Sequence, residues 1–287
     1  MHARHRWVEA NGIRFHLVEQ GEGPVVLLLH GFPEFWYSWR FQLPALAAAG
    51  YRAVAPDLRG YNLTDKPRGG YRIETLVADV VALIRALGEE RAHVVGHDWG
   101  GVIAWQTAWR EPSAVRTLCA MNAPHPGAYV RYLARHPAQL LKSSYMLFFQ
   151  APGVPEALLR RNRAAAIAAA LERSAGRPGG FTAADIEAYR AAFLRPGVAR
   201  AAIDYYRQAV RQGPRALPDA PVLVPTLVVW GDADPILEAG MNDHLGEWVK
   251  DITKIELPGC GHWTQQERPD VVSTELTGWL RARESRT

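Results

Sequence analysis

The stretch Val94-Val95-Gly96-His97-Asp98-Trp99-Gly100-Gly101 decides the fold of this chain. It indicates the end of a buried strand, a tight Gly-x-Asp-x-Gly-Gly turn and the start of a helix. Small residues two positions before and two positions after Asp98 allow a sharp turn that presents one side chain at an exposed tip, a nucleophile elbow. A carboxylate at this tip predicts attack on sp³ carbon through an ester, whereas an aspartate that only caps the helix is the alternative interpretation.

Segments on both sides of this turn alternate between strand and helix patterns. Val25–Leu29 is an uninterrupted apolar run, as expected for a strand covered by helices on both faces. Apolar residues of Glu74–Leu87 recur with the 3.6-residue period of a helix. The other predicted elements are a hairpin over Trp7–Val18 that turns at Asn11-Gly12, helices over Ser38–Ala49 and Trp99–Arg110, and strands over Arg52–Ala55, Ala92–Val95 and Val115–Met121. This order predicts an α/β fold with a mainly parallel sheet and a site at the carboxyl ends of its strands.

The alternation stops after Pro126 and resumes at Val224. The residues between them contain Ala-rich tracts at Ala164–Ala170 and Ala183–Ala202, with Pro and Gly at the joints. This composition predicts a helical cap that is inserted into one core, which suits a chain of 287 residues. The predicted boundaries are 1–124 and 222–287 for the core and 125–221 for the cap.

Composition excludes several functional classes. Hydrophobic residues make up 48% and charged residues 22% of the chain, which is typical of globular proteins rather than of disordered ones. The net charge of +4 comes from scattered arginines, and the densest group, Arg160, Arg161 and Arg163, is interpreted as a solvated helix face. We therefore expect no nucleic-acid partner. Apolar runs are too short for a membrane span or a signal peptide, so we also expect no membrane partner and a cytoplasmic location.

Metal and redox chemistry are not expected either. The two cysteines, Cys119 and Cys260, form no Cys-x-x-Cys pair and are interpreted as inert buried thiols. His93 and His97 lie four residues apart on a strand and turn rather than on one helix face, which disfavours zinc. No dinucleotide or phosphate-loop fingerprint is present, so we predict neither a metal nor a cofactor.

A second motif, His30-Gly31-Phe32-Pro33-Glu34, directly follows the buried strand. We expect the backbone N–H groups of Phe32 and Trp99 to converge beside Asp98. There they would stabilise the oxyanion that forms when the ester is hydrolysed. A simple turn is the alternative interpretation of this motif, but its position one unit before the elbow favours an oxyanion hole.

A third motif, Leu257-Pro258-Gly259-Cys260-Gly261-His262-Trp263, lies between the last strand and the terminal helix. A histidine in such a loop can reach the elbow, although a structural core histidine is the commoner case. The chain order of nucleophile, acid and histidine favours catalysis, because Asp232 and Asp234 follow an intervening buried strand. We predict Asp234 as the acid, since Asp232 more simply caps the turn.

Together these motifs resemble the epoxide hydrolases of the soluble type, within the α/β-hydrolase fold superfamily. The resemblance implies an eight-stranded, mainly parallel sheet with an inserted helical cap, and hydrolysis of epoxides to vicinal diols through Asp98, Asp234 and His262. The Asp98-Trp99 pair alone is shared with haloalkane dehalogenases. The stretches that carry the resemblance are His30–Glu34, Trp36–Arg40, Asp57–Tyr61, Gly96–Gly101 and Gly261–Gln265.

The family also activates the epoxide oxygen with two cap tyrosines. Tyr145 precedes the segment Phe149-Gln150-Ala151-Pro152-Gly153, and Tyr206 lies in a later predicted helix, so the resemblance implies that both phenols donate hydrogen bonds to the developing alkoxide. Packing of the cap is the alternative role for each tyrosine, and Tyr205 is the residue that could replace Tyr206. We expect Trp36 and Phe149 to contact the substrate.

Two other functions remain open at this level. A haloalkane or haloacid dehalogenase could use the same three residues, although such enzymes place a halide donor where this chain has Phe32, and no carboxylate-binding arginine follows Asp98. A non-catalytic receptor or carrier could bind a hydrophobic ligand beneath the cap. The expected partners are a small hydrophobic epoxide and water, in a protein that is a monomer or a homodimer.

Overall fold

A β-hairpin begins the fold, and its turn follows from the residues at its tip. The strands β1 (Arg4–Ala10) and β2 (Ile13–Gln20) are joined by Asn11 and Gly12, whose φ values are 45° and 75°. Asn and Gly tolerate this left-handed conformation, which matches the twist of the two strands.

The structure is a computed structural model that describes residues 3–177, 179–213 and 220–285.

Within this described part, eight strands form one mainly parallel sheet, which confirms the predicted fold class. The remaining strands are β3 (Val25–Leu29), β4 (Arg52–Pro56), β5 (Ala92–His97), β6 (Val115–Met121), β7 (Thr226–Gly231) and β8 (Ile252–Leu257). Their order is β1-β2-β4-β3-β5-β6-β7-β8, with antiparallel pairing of β2 to β1 and β4 and parallel pairing elsewhere. The carboxyl end of β5 therefore lies near the middle of the sheet, where ligands of such folds bind.

Helices cover both faces of the sheet. Before the insertion between β6 and β7 they are α1 (Gln42–Ala48), α2 (Ile73–Ala86) and α3 (Trp99–Arg110). After β8 they are α10 (Thr264–Glu267) and α11 (Pro269–Glu284), and the numbers α4 to α9 belong to the helices of the insertion. Leu27 and Leu29 of β3 pack on the side of α2 and α3, whereas Val26 and Leu28 pack on the side of α1 and α11. Burial on both faces explains why β3 is apolar at every position.

One predicted helix begins later than expected. The sequence suggests a helix over Ser38–Ala49, but the structure has a short 3₁₀ helix at Trp36–Trp39 and then α1 from Gln42. Pro44 accounts for the difference, because a proline is tolerated in the first turn of a helix but disrupts a helix interior. Starting α1 at Gln42 places Pro44 in that first turn.

Further helices lie between β6 and β7, where the sequence predicts a cap. They are α4 (Pro126–Leu133), α5 (Pro137–Lys142), α6 (Tyr145–Phe148), α7 (Val154–Ser174), α8 (Ala183–Leu194) and α9 (Val198–Gln212). We call this set the helical insertion. Pro178 and residues 214–219, which belong to the predicted cap, lie outside the described residues. Among the described helices, none combines the length and the apolar character that crossing a membrane requires.

The basic group in α7 differs from its prediction in one respect. Arg160, Arg161 and Arg163 are exposed, as expected, but they do not share one helix face. Backbone angles from Arg161 to Ala164 are non-helical, and Asn162, Arg163 and Ala164 have φ between 50° and 56°. The guanidinium of Arg190 donates to the carbonyls of Asn162 and Arg163, which stabilises this break.

Candidate active site

Asp98 occupies a strained turn between β5 and α3. Its φ is 49° and its ψ is −120°, a combination that a non-glycine residue rarely adopts. The glycines on either side permit the sharp turn: a Cβ on Gly96 would collide with the carbonyl of Gly100, and a Cβ on Gly100 would collide with the carbonyl of Leu29. The aspartate side chain is consequently presented at the tip and remains partly accessible, with 17% of its surface exposed.

The backbone after β3 holds one oxygen of this carboxylate. The N–H of Phe32 donates to Oδ1 of Asp98 at 2.8 Å. Gly31 allows this approach, because a Cβ there would collide with the Asp98 side chain. Trp99 is the first residue of α3, where helix geometry leaves N–H groups without an acceptor inside the helix. The N–H of Phe32 thus contacts Asp98, and Trp99 directly follows Asp98 in the chain.

His262 and Asp234 form a tight pair on the other side of Asp98. Nδ1 of His262 lies 2.7 Å from Oδ2 of Asp234, and Nε2 lies 3.6 Å from Oδ2 of Asp98. Three further donors hold Asp234, namely the side-chain amide of Asn122 and the backbone N–H groups of Ile236 and Leu237. Asp232 instead accepts from the backbone of Gly259 in the adjacent turn. The structure thus brings Asp234, and not Asp232, to the histidine.

Burial and charge act in opposite directions on these groups. Burial alone would lower the pKa of His262, but the carboxylates of Asp234 and Asp98 raise it to about 10. Burial alone would raise the pKa of Asp98, but His262 and the N–H of Phe32 bring it below its ordinary value. The pKa of Asp234 is lowered in the same way by His262 and Asn122, against the effect of burial. Asp98 is therefore an ionised carboxylate near neutral pH.

Two phenols share a cavity with this carboxylate. The rings of Tyr145 and Tyr206 lie 5.7 Å apart, and that of Tyr206 packs edge-on against Trp99. Burial is the main cause that raises the pKa of both phenols, so each keeps its proton for donation. The Asp98 carboxylate raises the pKa of both further, after the effect of Tyr145 in the case of Tyr206. The hydroxyl of Tyr205 donates to the carbonyl of Arg59 at 2.8 Å. That bond occupies the hydroxyl of Tyr205, whereas Tyr206 lies beside Tyr145 in the cavity that Asp98 lines.

The cavity has a volume of about 430 Å³ and mostly apolar walls. Asp98, Trp99, Tyr145, Met146 and Tyr206 are among its lining residues. The two predicted substrate contacts, Trp36 and Phe149, are not among the residues that line this cavity. The ring of Trp36 packs against His5, Phe35 and Tyr37, and the ring of Phe149 packs against Phe32, Tyr145 and Tyr206. Phe149 therefore supports the tyrosines, and Trp36 joins the packing beside the hairpin.

A buried polar network beneath the site is absent from the sequence-based predictions. Oε2 of Glu34 accepts from the N–H of Gly31 and lies 2.8 Å from Nδ1 of His97, whose Nε2 lies 2.8 Å from the carbonyl of His262. Oε1 of Glu34 accepts from Gln265 and Gln266. The network thus ties the oxyanion loop to the histidine loop. Glu34 and Gln265 both lie in the motifs quoted above, but only the fold brings them together.

The described residues contain no cluster of three or more His, Cys, Asp or Glu side chains that could hold a metal ion. Cys119 and Cys260 are buried free thiols, and burial raises the pKa of both, that of Cys260 to about 12. Neither thiol is activated, because a reactive cysteine has a lowered pKa. The groups that meet at the site are the carboxylates of Asp98 and Asp234, the imidazole of His262 and the phenols of Tyr145 and Tyr206.

Comparison with known proteins connects this geometry to a family. The family described as the alpha/beta hydrolase fold matches residues 24–269. Human epoxide hydrolase 4 is 40% identical over 283 residues, which cover 96% of this chain and 77% of that protein. An epoxide hydrolase from an endophytic Streptomyces has a structure with a TM-score of 0.88 at 36% identity, covering 99% of this chain and 96% of that chain.

A third similarity comes from a structure with a bound inhibitor. The epoxide hydrolase of Bacillus megaterium, in complex with an inhibitor, has a TM-score of 0.88 at 30% identity, covering 96% of this chain and 100% of that chain. These matches span the sheet and the helical insertion alike. The chain therefore belongs to the α/β-hydrolase fold family, among the epoxide hydrolases.

Proposed function

We propose that this hydrolase converts epoxides to vicinal diols through an ester on Asp98. One observation carries the proposal: the Asp98 carboxylate and the phenols of Tyr145 and Tyr206 line the same apolar cavity. A nucleophile and two proton donors that share one cavity suit the opening of a strained ether ring, in which one carbon is attacked while the oxygen gains a proton. The family membership supports the same reaction.

In the first step Asp98 attacks an epoxide carbon. Oδ1 is held by the N–H of Phe32, so Oδ2 is the oxygen that is free to form the new bond. The carbon–oxygen bond of the ring breaks, and its electron pair moves to the epoxide oxygen. Tyr145 and Tyr206 donate hydrogen bonds to this alkoxide, and one of them supplies its proton. The product of this step is a hydroxyalkyl ester of Asp98.

In the second step water hydrolyses the ester. Formation of the ester removes the negative charge of Asp98, which is one of the two charges that raise the pKa of His262. The histidine is then a better base toward a water molecule, and Asp234 orients its imidazole through Nδ1. Water attacks the acyl carbon, and the N–H groups of Phe32 and Trp99 stabilise the oxyanion on Oδ1. Collapse of this intermediate breaks the bond between the acyl carbon and the former Oδ2, and the imidazolium of His262 returns its proton to that oxygen as the diol leaves. The proton of the new carboxyl group on Asp98 then restores the phenol that gave its proton in the first step.

We further propose that the predicted cap, residues 125–221, covers the site and supplies both tyrosines. Its helices α6 and α9 contain Tyr145 and Tyr206 respectively. A small hydrophobic epoxide suits the apolar walls of the cavity. A cytoplasmic location, and a monomeric or dimeric state, remain predictions from the sequence.

Dehalogenation is the less favoured reaction for this site. A halide leaves as a stable anion and needs no proton, so two buried phenols would have no task in it. The test is a panel of aryl and alkyl epoxides assayed beside haloalkanes and haloacetates, with identification of the products. We expect diols from epoxides and little halide release. Halide release without diol formation would support the dehalogenase, and absence of all turnover would support a ligand carrier.

A further inference from the structure

The outer side of the helical insertion exposes large apolar side chains. Leu141 and Leu147 are the most open, with 75% and 70% of their surfaces exposed. Six such residues lie within nineteen positions of the chain, whereas soluble surfaces ordinarily carry exposed leucines singly. We call this set the apolar insertion surface; it consists of Leu140, Leu141, Leu147, Phe148, Val154 and Leu158.

Hydrogen bonds from one buried arginine keep part of this surface together. Arg207 of α9 donates to the carbonyls of Phe149 and Ala151, just after α6. The same guanidinium pairs with Glu156, in the first turn of α7. The end of α6 and the start of α7 are thus anchored to one side chain. The two segments that carry Leu147, Phe148, Val154 and Leu158 are therefore held next to each other.

The charge around this surface is strongly biased. From Pro126 to Arg163 the sequence contains six basic residues and one acidic residue, Glu156, which is paired with Arg207. Lys142, Arg131 and Arg163 have acidic partners from other segments. Arg135, Arg160 and Arg161 form no ion pair with any residue that the structure describes. Arg135 is close enough to Glu247 to lower the pKa of that carboxyl, whereas Arg160 and Arg161 lie beside Leu158 in the chain. Positive charge therefore exceeds negative charge along this segment.

We propose that the apolar insertion surface docks on an anionic lipid bilayer. Exposed leucine and phenylalanine side chains between arginines fit the boundary of acyl chains and negatively charged headgroups. A second copy of the chain fits less well, because self-association would bring the same arginines toward one another. Short apolar runs and scattered arginines led to the expectation of no membrane partner. This surface, in contrast, forms only when the chain is folded.

The position of the surface gives it a consequence for substrate supply, which rests on the proposed function. Tyr145 and Met146 line the cavity, and the next two residues, Leu147 and Phe148, face outward. Val130, on α4, both lines the cavity and is exposed. Docking of the surface would place the cavity close to the bilayer, where hydrophobic epoxides concentrate.

The experiment is flotation of the full-length protein with vesicles, without any substrate, so that the result does not depend on the proposed reaction. One set of vesicles contains phosphatidylcholine alone, and the other contains phosphatidylcholine with phosphatidylglycerol. We expect the protein to float with the anionic vesicles and to dissociate partly as salt is added. We expect much weaker binding to phosphatidylcholine alone.

Matched variants identify the surface that binds. The double variant Leu141→Ser/Leu147→Ser should weaken binding roughly tenfold or more, because it removes two apolar side chains from the interface. The control Leu223→Ser/Val271→Ser changes two other exposed apolar residues, 67% and 43% exposed, and should leave binding unchanged. Arg160→Gln/Arg161→Gln should weaken binding and reduce its salt dependence.

Three results would overturn the proposal. The first is a wild-type protein that does not float with anionic vesicles. The second is equal binding to those vesicles by the wild type and by Leu141→Ser/Leu147→Ser. The third is a concentration-dependent dimer in analytical ultracentrifugation that the same double variant abolishes, because the surface would then be an interface between two copies. Circular dichroism of each variant verifies that the fold is retained.

Discussion

Nε2 of His262 lies 3.6 Å from Oδ2 of Asp98. This distance exceeds that of a good hydrogen bond, whereas Nδ1 is held firmly by Asp234 at 2.7 Å. The histidine is therefore oriented toward the carboxylate without being bonded to it. A water molecule beside the acyl carbon of an Asp98 ester could be reached by the same nitrogen.

Replacement of the nucleophile should remove activity without unfolding the chain. Asp98→Ala should lower diol formation by about 10⁴-fold or more, because no other described carboxylate shares the cavity with the phenols. Its side chain is partly exposed and contributes little to the core, so the thermal unfolding transition should be retained. Product analysis and circular dichroism measure the two effects. Substantial residual diol from a pure preparation would assign the nucleophile elsewhere.

Replacement of the base should separate the two steps. His262→Gln should still undergo alkylation, because Asp98 attacks the epoxide without losing a proton. Ester hydrolysis should stall, so one equivalent of epoxide disappears and the protein mass increases by the mass of the substrate. Intact-protein mass spectrometry after rapid mixing detects this adduct. As a control, Asp98→Ala/His262→Gln should gain no mass.

The source of the diol oxygen gives an independent test of the ester. In a single turnover of the wild-type enzyme in ¹⁸O-water, the first diol should carry unlabelled oxygen from Asp98. Hydrolysis breaks the acyl–oxygen bond and leaves the heavy atom on the carboxylate. Mass spectrometry of the diol and of the peptide that contains Asp98 measures both labels. Solvent label in the first diol, with no adduct in His262→Gln, would mean that Asp98 acts as a general base.

The two phenols should be partly redundant. Tyr145→Phe and Tyr206→Phe should each slow ring opening by roughly 10²-fold, and the double variant should remove nearly all of it. Tyr205→Phe is the matched control, because its hydroxyl donates to the carbonyl of Arg59. That control should lower stability by about 1 kcal/mol and leave the rate of alkylation nearly unchanged. Near-normal turnover of the double variant would disfavour epoxide opening by these residues.

The raised pKa of His262 predicts a pH dependence of stability. The folded-state pKa of about 10 exceeds the ordinary value of 6.5, so the folded chain binds the proton more tightly than the unfolded chain. This contribution is fully present below pH 6.5 and is lost as the pH rises toward 10. Between pH 6.5 and pH 10, the urea concentration at the unfolding midpoint should fall more steeply for the wild type than for His262→Gln. Parallel curves for the two proteins would contradict the assignment.

The buried network beneath the site should contribute to folding. The two carboxylate oxygens of Glu34 have four hydrogen-bond partners, and Glu34→Gln replaces one of these oxygens with an NH₂ group that cannot accept. The partners are Gly31, His97, Gln265 and Gln266. We expect a loss of about 3 kcal/mol in the free energy of unfolding, because a buried donor left without an acceptor costs roughly 1–3 kcal/mol. Urea denaturation measures it. A change below about 0.5 kcal/mol would show that the network is energetically neutral.

Local patterns determined much of this protein. The spacing of apolar residues predicted the strands and helices, as in Val25–Leu29 and Glu74–Leu87. This works because burial on one or two faces of an element requires apolar residues at regular positions. The glycines around Asp98 predicted the elbow, since only small residues permit its close backbone contacts. The later start of α1 could also have been predicted from the sequence, because Pro44 is tolerated only in the first turn of a helix.

The tertiary structure decided which distant groups meet. It brings Asp234 to His262, leaves Asp232 in the turn, bonds Tyr205 to Arg59 and places the ring of Trp36 beside the hairpin. These outcomes depend on contacts between residues far apart in the chain, for which spacing gives no signal. The same reason applies to the Glu34 network and to the apolar insertion surface, because exposure is a property of packing and not of a residue type.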